Sequence, residues 1–115
     1  MVEEVSQGDI FYVNFNPRKG HEQKDKRPAL AISHDMVRDT SNLTIVVPIS
    51  NTKRSFPMYH TLKTTKKIEG KVLLDQSIAL DLKARGISKD NVVEIIDKEE
   101  LSEIIHLYKL LFTVD

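Results

Sequence analysis

Asn91-Val92-Val93-Glu94-Ile95-Ile96-Asp97-Lys98-Glu99-Glu100-Leu101-Ser102-Glu103-Ile104-Ile105-His106-Leu107-Tyr108-Lys109-Leu110-Leu111-Phe112 contains a change of period. Its β-branched opening, residues 91–96, reads as a strand. Asp97, with Glu100 three residues later, matches the N-cap and N3 positions of a capping box, where each side chain satisfies an orphan backbone N–H and a helix starts. Leu101, Ile104, Ile105, Tyr108, Leu111 and Phe112 then fall at i, i+3, i+4, i+7, i+10 and i+11. That is one apolar stripe over about three turns, and it predicts a helix packed on a sheet.

Everything before this stretch reads as short strands. Gly8-Asp9 precedes the aromatic and β-branched run 10–15, which ends at Asn16-Pro17. A second strand is expected over 28–33, with Pro28 at its first position, where a missing N–H does least harm. Residues 34–42 are polar and suit a single helical turn. The most apolar run, 43–50, predicts a central strand whose ladder Pro48 interrupts, so that Ser50 sits where the strand gives out. An edge strand over 58–62, a strand over 71–75 and a short one around 80–82 follow, with a turn at Arg85-Gly86. Strands followed by one terminal helix, without alternation, exclude a doubly wound parallel sheet. The expected fold is mainly β with a C-terminal α-helix: a small, twisted antiparallel barrel or half-barrel, partly covered by the helix.

At 115 residues, 40% of them apolar and 30% charged, the chain can close one hydrophobic core, so a single domain over 1–115 is expected. No apolar run approaches the roughly 18 residues of a membrane span, and Met1-Val2-Glu3-Glu4 is acidic where a signal peptide would be basic, so a cytoplasmic protein with no membrane association is expected. The absence of cysteine excludes disulfides, thiolate metal sites and cysteine nucleophiles. His21, His34, His60 and His106 share no metal-ligand spacing, and neither a metal nor another cofactor is expected.

The net charge is zero, yet the chain is polarised. Residues 17–27 carry five cations against two carboxylates, residues 53–71 six against one, and residues 72–115 five against nine. The two basic stretches are either solvated loops or the walls of a site for a polyanion. Between them, Gly20-His21-Glu22-Gln23 and Lys26-Arg27-Pro28 bring a histidine, a carboxylate, an amide and two cations onto one loop, a mixture suited to acid–base work on an anion.

Taken in order, Gly8-Asp9-Ile10, Asn16-Pro17, Gly20-His21-Glu22-Gln23, Arg27-Pro28-Ala29-Leu30, Val46-Val47-Pro48-Ile49-Ser50, Asp75-Gln76 and Lys83-Ala84-Arg85-Gly86 resemble the MazF/Kid/PemK endoribonuclease toxins of type II toxin–antitoxin systems, with a lean toward the Kid/PemK branch. The resemblance implies an SH3-like barrel with a C-terminal helix, assembled as a homodimer. It implies metal-independent cleavage of single-stranded mRNA at a short motif, through attack of the 2′-hydroxyl and formation of a 2′,3′-cyclic phosphate. It also implies a cognate antitoxin with an acidic, flexible C-terminal segment.

Such a reaction needs a base for the 2′-OH, an acid for the leaving 5′-oxygen and fixed positive charge on the phosphorane oxygens. Arg27 matches the arginine considered catalytic in the MazF branch, and its planar, permanently charged fork suits two phosphate oxygens. Ser50 stands where the family usually has threonine; it keeps the hydroxyl and loses the methyl that restricts χ1, or else it caps a turn. Glu22, His21 and Asp75 compete for the base. Asp75 matches the Kid-branch aspartate, but the arginine expected two residues earlier is Leu73, so an Arg27–Ser50 scheme is favoured over one centred on Asp75. Lys19, Gln23, Lys53, Arg54, Phe56, Gln76, Ser77 and Arg85 are the expected RNA-binding residues, with Phe56 either a base-stacking platform or a plug beside Pro57. Two alternatives remain: a non-enzymatic CcdB-like gyrase-binding toxin of the same architecture, and a small-barrel RNA-binding module that needs neither Glu22 nor Ser50.

Overall fold

Alternation along the strands divides the apolar residues between the two faces of one sheet. In the computed structural model, which describes residues 3–15 and 26–114, seven strands pair antiparallel throughout. They are β1 (Asp9–Asn14), β2 (Lys26–Ala31), β3 (Thr44–Ser50), β4 (Tyr59–Thr61), β5 (Lys71–Leu73), β6 (Ile78–Leu80) and β7 (Val92–Ile95). Their order is β4-β5-β3-β2-β1-β7, with β6 paired to the first part of β3. α1 (Asp35–Ser41) joins β2 to β3, and α2 (Lys98–Lys109) follows β7. One face of the sheet presents Ile10, Leu30, Val47, Ile49 and Val72, which pack with Ile104 of α2. The other presents Phe11, Val13, Ala29, Ala31 and Val46, which pack with Val5, Leu80 and Leu82.

The mainly β fold with its terminal helix is therefore present, but the sheet does not close into a barrel: β4 and β7 are its ends. The reason lies in residues 63–68, which run from β4 toward β7. Their N–H groups bond to side-chain carboxylates in place of the carbonyls of a neighbouring strand: Lys63 and Thr64 to Glu100, and Lys66, Lys67 and Ile68 to Glu94.

Local differences from expectation have similarly specific causes. β2 starts at Lys26, so Pro28 is its third residue, opposite Tyr12. β3 runs through Pro48 to Ser50, because its outer partner changes from β6 at Thr44–Val46 to β5 at Ile49–Ser50 and the proline falls in the gap between the two ladders. The single turn expected over 34–42 is a seven-residue helix, capped by His34 Nδ1, which accepts from Met36 N–H at 3.0 Å, and ended by Asn42 in the left-handed region. Asp97 caps α2 by accepting from the Glu99 and Glu100 N–H groups, but the Glu100 carboxylate turns toward residues 60–64 and leaves the capping box half-formed. Leu101, Ile104, Ile105 and Tyr108 of the apolar stripe pack on the core, whereas Leu111 and Phe112 are exposed. Among the described residues no helix is long and apolar enough to cross a membrane.

Candidate functional site

β2 and β3 set the geometry of the site. Ala29 pairs with Pro48 and Leu30 with Val47. That ladder ends at Ala29–Pro48, and Arg27 and Ser50 each lie two residues beyond it, at the same end of the two strands. Both positions share parity with Ala29, Ala31 and Val46, so both belong to the face away from α2. Arg27 is exposed and lies opposite Val13 of β1. Ser50 lies opposite Lys71 of β5, and its Oγ accepts from the Thr52 N–H at 3.2 Å. It thus caps the turn that follows and keeps its own O–H as a donor.

Sequence reading missed the residue that holds Ser50 in place. Gly70 has φ +132°, and a Cβ there would lie 2.6 Å from the Ser50 carbonyl oxygen. Only glycine lets the chain entering β5 pass so close to the end of β3.

Several of the other expected binders lie near this pair. On one side the Arg85 guanidinium donates from Nη1 to the Asn14 carbonyl at 3.0 Å, which brings it to the end of β1 beside Arg27. On the other, residues 51–58 are pinned by Lys71 Nζ, which donates to the Arg54 carbonyl at 2.6 Å, and by the Arg54 N–H, which donates to Thr52 Oγ1. Lys53 and Arg54 are exposed. Phe56, 48% exposed, is no plug beneath the loop; its ring meets Tyr59 edge-on with centroids 5.0 Å apart. Asp75 and Gln76 are exposed on a 3₁₀ turn, Leu74–Gln76, that packs on β3 and β4, and Gln76 Nε2 lies 3.5 Å from the Tyr59 hydroxyl. Ser77 faces the helix, where its Oγ is 3.0 Å from the Tyr108 hydroxyl. Leu73, in the position where the Kid branch carries arginine, is buried. Lys19, His21, Glu22 and Gln23 lie outside the described residues.

The second basic stretch is not one surface. Lys53, Arg54 and Lys71 belong with Ser50, whereas Lys63, Lys66 and Lys67 lie on the segment held by Glu94 and Glu100. Glu100 is buried and bonded to the ring of His60 (Nε2–Oε2 2.8 Å), the Lys63 N–H at 2.7 Å, the Thr64 N–H at 2.9 Å and the Thr64 hydroxyl. Burial pushes its pKa up, but the bonds from Thr64, His60 and the Lys63 backbone together outweigh burial and hold it down at about 2. Glu94 is also lowered: burial opposes ionisation, and three backbone N–H groups and the Lys67 charge overcome it. His60 and Glu100 form a structural pair on the helix side of the sheet, remote from the Arg27 face.

A cavity of about 590 Å³ lies elsewhere, between β7 and α2, floored by Ile95, Ile96, Leu101 and Ile105 and rimmed by Lys98 and Lys109. Its lining includes Gly8 but none of the candidate catalytic or RNA-binding residues. Among the described residues no cluster of three or more His, Cys, Asp or Glu side chains could hold a metal ion.

Comparison with known proteins follows the same outline. The family model of PemK-like, MazF-like toxins of type II toxin–antitoxin systems matches residues 6–112. The chain is 30% identical to the endoribonuclease toxin MazF of Escherichia coli K12 over 86 residues, 75% of this chain and 77% of that protein. The crystal structure of MazF from Deinococcus radiodurans superposes with a TM-score of 0.76 at 26% identity, covering 97% of each chain. A MazE–MazF crystal structure from the same organism gives a TM-score of 0.75 at 21% identity, covering 100% of this chain and 99% of that one.

Proposed function

Since the chain belongs to the PemK-like, MazF-like toxins of type II toxin–antitoxin systems, we propose that it is a sequence-specific endoribonuclease that cleaves single-stranded mRNA without a metal ion and is neutralised by a cognate antitoxin. The observation that supports the reading is the register of β2 on β3, since Arg27 and Ser50 lie two residues beyond the same end of that ladder, a permanently charged guanidinium and a hydroxyl donor. Arg27 takes two non-bridging phosphate oxygens and stabilises the charge that grows on them in the transition state. Ser50 donates its O–H to the same phosphate. A base among Glu22, His21 and Asp75 removes the 2′-OH proton, the 2′-oxygen bonds to phosphorus, and the P–O5′ bond breaks as the 5′-oxygen gains a proton. The products are a 2′,3′-cyclic phosphate and a 5′-hydroxyl. No protein nucleophile enters, which suits a chain without cysteine.

Around this centre, Arg85, Lys53, Arg54 and Lys19 supply cations along the phosphates. Phe56, Gln23 and Gln76 complete the RNA contacts, whereas Ser77, engaged with the Tyr108 hydroxyl on the helix side, is left out of them. The existence of a MazE–MazF complex with the same fold supports the antitoxin as partner. An acidic antitoxin segment lying across the basic Arg27 face would exclude RNA from it. The gyrase-binding alternative is disfavoured by relatives that carry endoribonuclease names.

The test incubates the protein in excess EDTA with a long single-stranded RNA, beside Arg27→Ala and Ser50→Ala, and maps the fragment ends. Discrete cuts ending in 2′,3′-cyclic phosphate, abolished in Arg27→Ala, are expected. Intact RNA with a folded protein would return the gyrase-binding reading to first place.

A further inference from the structure

Residues 51–57 follow Ser50 without a core anchor: all but Thr52 are exposed, and none joins either apolar cluster. Polar bonds set their course instead, and those bonds form a circuit. The Thr52 N–H donates to Ser50 Oγ at 3.2 Å, the Arg54 N–H donates to Thr52 Oγ1 at 3.2 Å, and Lys71 Nζ donates to the Arg54 carbonyl at 2.6 Å. Lys71 is itself the cross-strand partner of Ser50. Residues directly opposite on an antiparallel pair show their side chains on one face, with Cβ atoms about 5 Å apart. The loop therefore arches from one member of that pair back to the other.

What the circuit acts on is a rotamer. Serine has three staggered χ1 wells and no second γ-substituent to choose among them, whereas the methyl of a threonine narrows the choice. At Ser50 the bond from Thr52 favours the well in which Oγ meets the loop backbone, and the O–H remains free to donate. That bond holds only while Thr52 stays in place. Thr52 is held by the Arg54 N–H, and Arg54 in turn by Lys71.

We propose that Thr52 and Lys71 are positioning residues for Ser50, doing through the loop what a β-branched side chain does by itself. The inference rests on the ribonuclease reading and adds to it the residues that fix where its hydroxyl stands. In this role neither residue touches the phosphate, and each acts on cleavage through Ser50 Oγ alone.

Lys71→Met keeps the stem and loses the donor, and Thr52→Val keeps the shape and loses the acceptor. Steady-state cleavage of the mapped motif is compared in the wild-type protein and in both variants, each also in a Ser50→Thr background, and the Ser50 Hα–Hβ couplings are read by NMR. The expected kcat falls about threefold in each variant, the factor for releasing one χ1 well into three, with KM unchanged. In the Ser50→Thr background the same substitutions should cost little, because the methyl restricts χ1 without the loop. A loss of equal size in both backgrounds would make Thr52 and Lys71 structural only and overturn the proposal. A raised KM at constant kcat would make Lys71 a phosphate ligand and overturn it too. The couplings test the circuit apart from activity: one rotamer is expected in the wild-type protein and an average over several in Lys71→Met. Should the wild-type protein cleave nothing, that contrast would sustain the circuit while the ribonuclease reading falls. Averaged couplings in the wild-type protein, or a rotamer unchanged in Lys71→Met, would sink the circuit itself.

Discussion

In the proposed scheme Arg27 and Ser50 act through what their atoms can do at one spot, and Gly70 through the atom it lacks. Arg27→Lys keeps the charge and loses the fork, so a loss of cleavage rate of roughly a hundredfold is expected, approaching that of Arg27→Ala. Single-turnover kinetics on the mapped motif measures it, and a lysine variant near wild-type rate would show that charge alone suffices. At Ser50 the prediction runs the other way: Ser50→Thr restores a restricted χ1 beside the same hydroxyl and should match or exceed the wild-type rate, whereas Ser50→Ala should fall about tenfold or more. Gly70→Ala puts a Cβ 2.6 Å from the Ser50 carbonyl at a φ of +132°, so it should destabilise the fold by about 2 kcal/mol or more and slow cleavage by shifting the end of β3. Urea titration and kinetics on the same sample separate the two effects. Arg27 and Ser50 could be proposed from the sequence because motif residues announce their chemistry in their own side chains. Gly70 was not singled out, since its requirement comes from a carbonyl 20 positions away that local sequence does not reveal.

Among the elements, the segment 63–68 has the least regular backbone of the sheet's margin and the most carboxylate bonds. Glu94 of β7 and Glu100 of α2 take five of its backbone N–H groups between them, and so tie the open ends of the sheet together under the helix. Both carboxylates are held below the ordinary range, so each is charged more readily in the folded than in the unfolded chain. The stability they contribute is complete above the unfolded value of 4.5 and is lost as pH falls toward about 2, where Glu100 protonates in the folded state. For Glu100 this amounts to something on the order of 3 kcal/mol. Urea midpoints should therefore decline between pH 5 and about 2, and in Glu100→Gln the decline should be shallower because the titrating group is gone; parallel curves for the two proteins would remove Glu100 from the account. The strands, the helix and its Asp97 cap followed from local patterning. The role of Glu100 did not, because a carboxylate at N3 satisfies the capping-box pattern whether it bonds back to the cap or, as here, out to β4 and the loop beyond it.

For the molecule as a whole, an apolar stripe that continues past the last core contact raises the question of what covers it. The sequence placed Leu111 and Phe112 on the packed face of the helix, and its period is right. The sheet gives out first: beyond Tyr108 the chain tightens into a 3₁₀ turn, Leu110–Phe112, with Phe112 67% and Val114 92% exposed and Ile78 of β6 also open to solvent. Periodicity specifies which side of a helix is apolar and says nothing of how far the surface beneath it extends. Exposed apolar side chains such as Leu110, Phe112 and Val114 cost free energy in water unless a partner removes them from it, and a two-fold copy of the same surface is the simplest partner. We expect a homodimer that buries this end of the molecule and scatters light as about twice the 13.2 kDa of the chain. Phe112→Asp, which puts a charge at the centre of the patch and leaves the core contacts of Ile104 and Tyr108 in place, should shift the mass toward one chain at micromolar concentration while the urea midpoint of the monomer persists. A variant that stays fully dimeric would locate the two-fold contact elsewhere on the surface, and a wild-type protein that scatters as one chain would overturn the homodimer.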